Sequence, residues 1–356
     1  MRKINLVLLM SILILSGCGK THTQATPTPV LIQPTLTAVE SFTPVPLPTA
    51  TVISTATQIP NPMNISVMRA RAYDGSDIVI QSELDRGRNY RRYYAYYLSD
   101  NLKIYGLLTI PDGSMPERGW PAIVFNHGYI PPEIYKTTER YIAYVDQLAS
   151  HGYIVYRIDY RGHDRSEGTA VGAYGDPGYT ADVLNAVASL KRFPQVNPDK
   201  IGAWGHSMGG YLTLRAMVIT KDIKVGVIWA GVVASYPDML YNWRRSTTVT
   251  PSPSSRGIGW RTRWISEYGT PEQNPDFWNA ISSTSYLADL SGPLQLHHGT
   301  ADEDVPMEFS IRLAEQARAA GKIADLYLYE NDNHNISGNF DLAMKRTIEF
   351  FDQYLK

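Results

Sequence analysis

The chain has a single cysteine, Cys18, among its 356 residues, so no intrachain disulfide can form. It also lacks an excess of either charge, since 33 Lys and Arg stand against 34 Asp and Glu, a formal net charge of −1 at pH 7. That balance provides no electrostatic basis for binding nucleic acid, and we expect no such partner. The eight histidines are scattered without the spacing of a metal site. We therefore expect no metal and no cofactor.

The apolar run at the N-terminus is too short to span a membrane. It covers residues 4–15 and follows Met1-Arg2-Lys3. The segment then closes with Leu15-Ser16-Gly17-Cys18. A positive start, an apolar middle and small closing residues predict a secretory signal, residues 1–18. The last four residues resemble a bacterial lipobox, which implies lipidation of Cys18 and an exported protein anchored in a membrane of the cell envelope. The alternative is an ordinary signal peptide with a chance cysteine.

A change of composition separates a linker from a folded domain. Residues 19–62 are rich in Thr and Pro, which predicts an extended, solvated stalk. From residue 63 to 356 the composition is globular, beginning with a hairpin over 93–108 and continuing with alternating strands and helices. The alternation predicts an α/β domain with a mostly parallel sheet and helices on both faces, including one over 137–150. Sites in such sheets lie at the carboxyl ends of the strands.

The stretch Gly205-His206-Ser207-Met208-Gly209-Gly210 has the G-x-S-x-G spacing of a nucleophile elbow, a sharp strand-to-helix turn that exposes a serine. An apolar run over 200–204 precedes it, and residues 211–217 are apolar at helical spacing. The turn strains the serine backbone, so the flanking glycines are needed to leave room beside it. Ser207 is our candidate nucleophile.

A serine nucleophile needs a base to take its proton and a carboxylate to orient that base. Three acids, Asp302, Glu303 and Asp304, follow one later strand, and His334 follows the last strand. The order serine, acid, histidine is the order that this sheet topology imposes. Two further histidines at 297 and 298 should point to opposite faces and support the strand end.

Together these segments resemble the α/β-hydrolase superfamily, specifically the prolyl-oligopeptidase-like (S9) serine hydrolases and their stand-alone esterase relatives. The resemblance covers roughly residues 94–356. It implies an α/β-hydrolase fold in which Ser207 is the nucleophile, Asp302 orients the base and His334 is the base. The residues that carry it are Gly205-His206-Ser207-Met208-Gly209-Gly210, His298-Gly299-Thr300-Ala301-Asp302 with Val305-Pro306, Asn333-His334, and Asp159-Tyr160-Arg161-Gly162-His163 with Ser166 and Gly168.

The oxyanion of an acyl-transfer intermediate needs two backbone donors. The amide of Met208, directly after the nucleophile, is the first. The second should come from the loop His127-Gly128-Tyr129, where the amide of Tyr129 is the natural candidate. This loop departs from the glycine-rich form of many lipases.

A long stretch without clear periodicity, residues 231–290, predicts a small cap. Its aromatic residues either form the core of the cap or line a substrate pocket above Ser207, for which Trp243 and Trp264 are the candidates. The residues in question are Tyr236, Tyr241, Trp243, Trp260, Trp264, Tyr268, Phe277 and Trp278.

The substrate follows less directly from the sequence than the mechanism does. Peptidases of the S9 type usually carry a β-propeller, and no propeller-length repeat is present here. We therefore expect a serine hydrolase that cleaves small or polysaccharide-linked esters through an acyl-enzyme. A peptidase acting on short peptides is the alternative, and a non-catalytic surface lipoprotein is a further one.

Overall fold

A nine-stranded sheet forms the centre of the computed structural model, which describes residues 60–243 and 257–356. The signal peptide with Cys18, nearly all of the predicted linker and residues 244–256 of the cap lie outside these residues. The three strands at one edge are antiparallel to their neighbours and the rest are parallel. The strands, in spatial order, are β1 (Val79–Leu84), β2 (Tyr90–Ser99), β3 (Leu102–Pro111), β5 (Ile154–Ile158), β4 (Trp120–Asn126), β6 (Val196–His206), β7 (Val225–Trp229), β8 (Leu294–Gly299) and β9 (Ala324–Tyr329).

Helices cover both faces of the sheet, as the alternation of strands and helices predicts. The helices are α1 (Ile65–Ala70), α2 (Ile142–Ser150), α3 (Gly178–Arg192), α4 (Met208–Ile219), α5 (Tyr236–Tyr241), α6 (Gly257–Tyr268), α7 (Pro275–Ile281), α8 (Met307–Ala319) and α9 (Phe340–Leu355), with a 3-10 helix at Ser283–Asp289. Side chains of β4 alternate between two hydrophobic cores. Ile123 and Phe125 belong to the core that includes residues of α2 and α9, whereas Ala122 and Val124 belong to the core that includes residues of α3, α4 and α8. Within the described residues no helix combines the length and apolarity that crossing a bilayer requires.

The predicted hairpin is present as β2 and β3, paired from Tyr90 with Pro111 to Ser99 with Leu102. Its two-residue turn consists of Asp100 and Asn101, with φ angles of 54° and 64°. Asp and Asn tolerate this left-handed conformation better than other residues with a side chain, and it matches the twist of the flanking strands.

The helix predicted over 137–150 begins only at Ile142. The guanidinium of Arg157, which is fully buried at the end of β5, binds the carbonyl groups of Thr137, Glu139 and Arg140. The segment is therefore held by the Arg157 side chain instead of by a helical ladder. The segment ends in two consecutive left-handed residues, Arg140 and Tyr141, with φ angles of 57° and 51°.

The described residues of the cap form three short helices and the 3-10 helix. The side chains of Asn274 and Ser235 cap the N-termini of α7 and α5. They accept hydrogen bonds from the backbone amides of Phe277 and Asp238, respectively. The helices are too short and too often interrupted for a helical period to be visible in the sequence. Beneath them lies a cluster of buried aromatic rings that includes Trp260, Trp264 and Trp278.

Candidate active site

Ser207 lies in the sharp turn between β6 and α4, with φ 56° and ψ −117°. This is a conformation that residues with a side chain rarely adopt, and it persists only where the surroundings enforce it. Gly205 and Gly209 provide the space, because a Cβ at Gly205 would overlap backbone atoms of Gly209 and a Cβ at Gly209 would overlap the carbonyl of Asn126. The predicted elbow is thus present, with the steric role that the sequence assigns to its glycines.

Backbone hydrogen bonds hold the elbow to the neighbouring strand. The amide of Ser207 donates to the carbonyl of Trp229 at 3.0 Å, and its carbonyl accepts from the amide of Val232 at 3.1 Å. The amide of Met208 is the first of α4, so the helix itself offers it no acceptor. Met208 therefore presents a backbone donor directly beside the serine.

Asp302 and His334 come together at the ends of β8 and β9. Nδ1 of His334 lies 2.7 Å from Oδ2 of Asp302, whose side chain is 1% exposed against 15% for the imidazole. Glu303 and Asp304 are exposed, and the amide of Asp304 donates to Oδ1 of Asp302. Of the three acids that compete in the sequence, Asp302 is therefore the one bound to His334.

Nε2 of His298 lies 3.0 Å from both Oδ2 of Asp302 and the carbonyl of Val305, so its N–H is shared between these two acceptors. Burial alone would raise the pKa of Asp302, but the hydrogen bonds from His298 and His334 outweigh it and hold that pKa well below its usual range. The carboxylate stays ionised. His298 thus does more than support the strand end, whereas His297 points to the opposite face, as expected, and bonds Tyr329.

The loop after β4 approaches the elbow closely through Gly128. A Cβ at this position would lie 3.2 Å from Cβ of Ser207 and 2.7 Å from the hydroxyl of Tyr141. The amide of Gly128 donates to that hydroxyl at 2.9 Å, so it is engaged. The next amide along the loop belongs to Tyr129, the residue that the sequence proposes as the second oxyanion donor.

His334 is also held through its main chain. Its carbonyl accepts from Nε2 of His206 at 2.9 Å, and the two imidazole rings lie 4.6 Å apart between centroids. His206 directly precedes Ser207, so the candidate base lies beside the elbow. Burial lowers the pKa of His206 to about 3, and the ring is neutral.

Residues 140–356, more than half of the chain, match the model of the prolyl oligopeptidase family. The chain belongs to the prolyl oligopeptidase family.

Two bacterial relatives are named as uncharacterised peptidases. YuxL of Bacillus subtilis is 30% identical over 271 residues, which cover 73% of this chain and 38% of YuxL. YtmA of the same organism is 27% identical over 251 residues, covering 68% of this chain and 86% of YtmA. The chain therefore spans well under half of one relative and most of the other.

The fold is shared with solved structures of several activities. An acetyl xylan esterase from Paenibacillus sp. R4 superposes with a TM-score of 0.59 at 18% identity, covering 82% of this chain and 92% of the esterase. This superposition shows an α/β-hydrolase fold, and the family match identifies the chain as a serine hydrolase of the prolyl oligopeptidase family.

The two tryptophans proposed for a pocket in this family member have different surroundings. Trp264 is 2% exposed, and its ring packs against those of Tyr236 and Trp260, with centroids 5.5 Å from each. Trp243 instead donates from Nε1 to the carbonyl of Asp304 at 2.8 Å. These contacts favour a role in the cap core for Trp264 and place Trp243 against the loop of the candidate acid.

Two features beside this site are not apparent from the sequence: the role of Tyr141 and the contacts of the His206 ring. His206 was visible as the variable position of the elbow motif, but nothing in the motif specifies what its ring binds. Tyr141 lies 65 residues earlier in the chain, inside a stretch predicted as helix. Only the left-handed break before α2 directs its hydroxyl toward His206.

Proposed function

We propose that this serine hydrolase acts by acyl transfer through a Ser207-Asp302-His334 triad. The observation that carries the proposal is the 2.7 Å hydrogen bond between Asp302 and Nδ1 of His334 beside the elbow. A carboxylate can only accept, so Nδ1 carries the proton and Nε2 has a free lone pair. That lone pair is the acceptor that the hydroxyl proton of Ser207 requires.

The reaction then follows in two balanced steps. Oγ of Ser207 attacks the substrate carbonyl while its proton passes to Nε2 of His334, and the amides of Met208 and Tyr129 bind the resulting oxyanion. Collapse of this intermediate breaks the bond to the leaving group, which takes the proton from His334 and leaves an acyl-enzyme. Water repeats the sequence, releasing the acid and restoring Ser207.

Small esters are our proposed substrates. The support is the shared fold of an acetyl xylan esterase, 92% of whose chain the superposition covers. Short peptides are the second candidate, and the relatives named as peptidases favour them. Both substrate classes use the same nucleophile and base.

Parallel turnover assays test the proposal and separate the two classes. The wild type and Ser207→Ala are compared on p-nitrophenyl esters of increasing acyl length, feruloyl esters and short chromogenic peptides. We expect ester turnover that Ser207→Ala abolishes. Turnover of peptides alone would replace the ester assignment with the peptidase one, and residual turnover in Ser207→Ala would remove the serine from the mechanism.

We propose further that the protein is exported and anchored in a membrane of the cell envelope through lipid on Cys18. The support is the apolar run and Leu15-Ser16-Gly17-Cys18. Expression in a bacterial host with an alkyne fatty acid tests this, with Cys18→Ser as the matched variant. We expect label and membrane fractionation in the wild type only. An unlabelled wild type in the soluble fraction would contradict the anchor.

A further inference from the structure

A single phenolic hydroxyl joins the loop after β4 to the elbow. Nε2 of His206 lies 2.9 Å from the carbonyl of His334, and a carbonyl only accepts, so Nε2 must carry the proton. Nδ1 of the neutral ring is then an acceptor, and it lies 2.8 Å from the hydroxyl of Tyr141. The hydroxyl therefore donates to His206.

The same hydroxyl accepts the amide of Gly128 at 2.9 Å. A chain of hydrogen bonds thus runs from the Gly128 amide through Tyr141 to His206 and on to the main chain of His334. Every donor in it has one acceptor, and its direction is fixed by the two ends. One end of this series of hydrogen bonds is therefore Gly128, the residue directly before the proposed oxyanion donor Tyr129, and the other end is the main chain of the proposed base, His334.

The position of Tyr141 is built into the fold. Its ring lies 5.6 Å from that of Phe125 and 6.2 Å from that of Trp204, both edge-on. Its backbone is left-handed, and the preceding segment is held by the buried guanidinium of Arg157. A left-handed pair of ordinary residues costs free energy, and such strain persists where surrounding contacts enforce it. Here the contacts of Arg157 enforce it and aim the hydroxyl.

We propose that Tyr141 is a positioning residue. Through His206, its hydroxyl keeps the loop His127-Gly128-Tyr129 and the base His334 in a fixed position relative to each other. The proposal rests on the triad assigned above. Asp302 orients the imidazole of His334 through its side chain, while His206 fixes the same residue through its carbonyl. Loss of the hydroxyl leaves the Gly128 amide and Nδ1 of His206 without their partner, so the loop and the base can shift independently. A displacement of about 1 Å at reacting groups can cost about 100-fold in rate.

The test is Tyr141→Phe, with Tyr153→Phe as its matched control. Tyr153 is also buried, and its hydroxyl binds Asp352 at 2.6 Å between β5 and α9, away from the elbow. We expect Tyr141→Phe to lower kcat on a p-nitrophenyl ester by about 10- to 100-fold with KM within about 3-fold, while Tyr153→Phe keeps kcat. Unchanged kcat in Tyr141→Phe, or an equal loss in both variants, would overturn the proposal.

A double-variant cycle separates positioning from general destabilisation. If Tyr141 acts through His206, adding Tyr141→Phe to His206→Leu should lower kcat little further, since interacting residues are not additive. His206→Gln, which retains an amide donor for the His334 carbonyl, should keep more activity than His206→Leu. If the losses of kcat in the two single variants multiply in the double variant, the coupling is contradicted. If His206→Leu fails to fold, the comparison of Tyr141→Phe with Tyr153→Phe decides.

The outcome is distinguishable from failure of the triad itself. A wild type that neither turns over esters or peptides nor labels with a fluorophosphonate overturns the proposed function and this inference with it. A wild type that labels at Ser207, combined with full activity in Tyr141→Phe, overturns the role of Tyr141 alone.

Discussion

Oδ2 of Asp302 lies 2.7 Å from Nδ1 of His334. The rest of the carboxylate is occupied as well, since Oδ2 also meets His298, and Oδ1 accepts the amides of Asp304 and Val305 at 2.8 and 3.0 Å. A carboxylate with this many donors has one orientation and stays ionised. The candidate base is therefore aimed by a rigid acceptor.

Replacing that acceptor should disable the base. In Asp302→Asn the side-chain amide can present a donor where Nδ1–H needs an acceptor, which favours the wrong tautomer of His334. We expect kcat to fall by about 10⁴-fold, as in other serine hydrolases that lose this group. Steady-state kinetics on the best substrate measures it, with Glu303→Gln and Asp304→Asn as controls that keep kcat within about 3-fold. A larger loss of kcat in either control would show that Asp302 is not the acid that orients the base.

His163 should make the folded state sensitive to acid. Burial lowers its pKa to about 4, so between pH 6.5 and 4 the unfolded chain binds a proton that the folded chain does not. Its contribution to stability is complete above pH 6.5 and is lost as pH falls. From pH 7 to pH 5, the free energy of unfolding of the wild type should fall by roughly 2 kcal/mol relative to His163→Gln.

Denaturant unfolding of both proteins at the two pH values measures this difference. Other titrating groups, including Asp159, whose pKa burial raises to about 7, are present in both proteins. His127, whose ring lies 5.8 Å from that of His163, has a pKa that burial holds well below its usual range. If the free energy of unfolding of the wild type stays constant or rises relative to that of His163→Gln as pH falls, His163 is not buried in its neutral form.

The two cap tryptophans should behave differently. Trp264→Ala removes a ring from the aromatic core, so we expect about 3 to 5 kcal/mol of lost stability and an unchanged order of preference among esters. Trp243→Phe removes the hydrogen bond to the loop of Asp304 and should lower kcat with less effect on stability. Thermal unfolding and the ester panel measure both. A changed acyl preference in a folded Trp264→Ala would show that Trp264 lines the substrate pocket.

The parts of the site that were predictable are those written in local sequence. Ser207 is marked by glycines within two residues of it, and Asp302 and His334 each follow a strand that its own composition identifies. Helix α9, Phe340–Leu355, is amphipathic over its whole length, so the apolar period of its own residues identifies it. In each case the determining residues are neighbours in the chain.

The rest depends on contacts between distant residues. The start of α2 is set by Arg157, which lies 17 to 20 residues beyond the carbonyls it binds. The role of Tyr141 depends on that same break and on a contact with His206 across 65 residues. No periodicity or motif records such contacts, so sequence reasoning extended the helix back to residue 137 and overlooked the hydroxyl.

Labelling with a fluorophosphonate, followed by peptide mass spectrometry, tests the central assignment most directly. The probe reacts only with a serine whose proton is removed by a correctly oriented base. We expect a single adduct on Ser207 in the wild type, none in Ser207→Ala and a strongly slowed reaction in His334→Ala and Asp302→Asn. No adduct on Ser207 in the folded wild type, or equal labelling in His334→Ala, would contradict the triad.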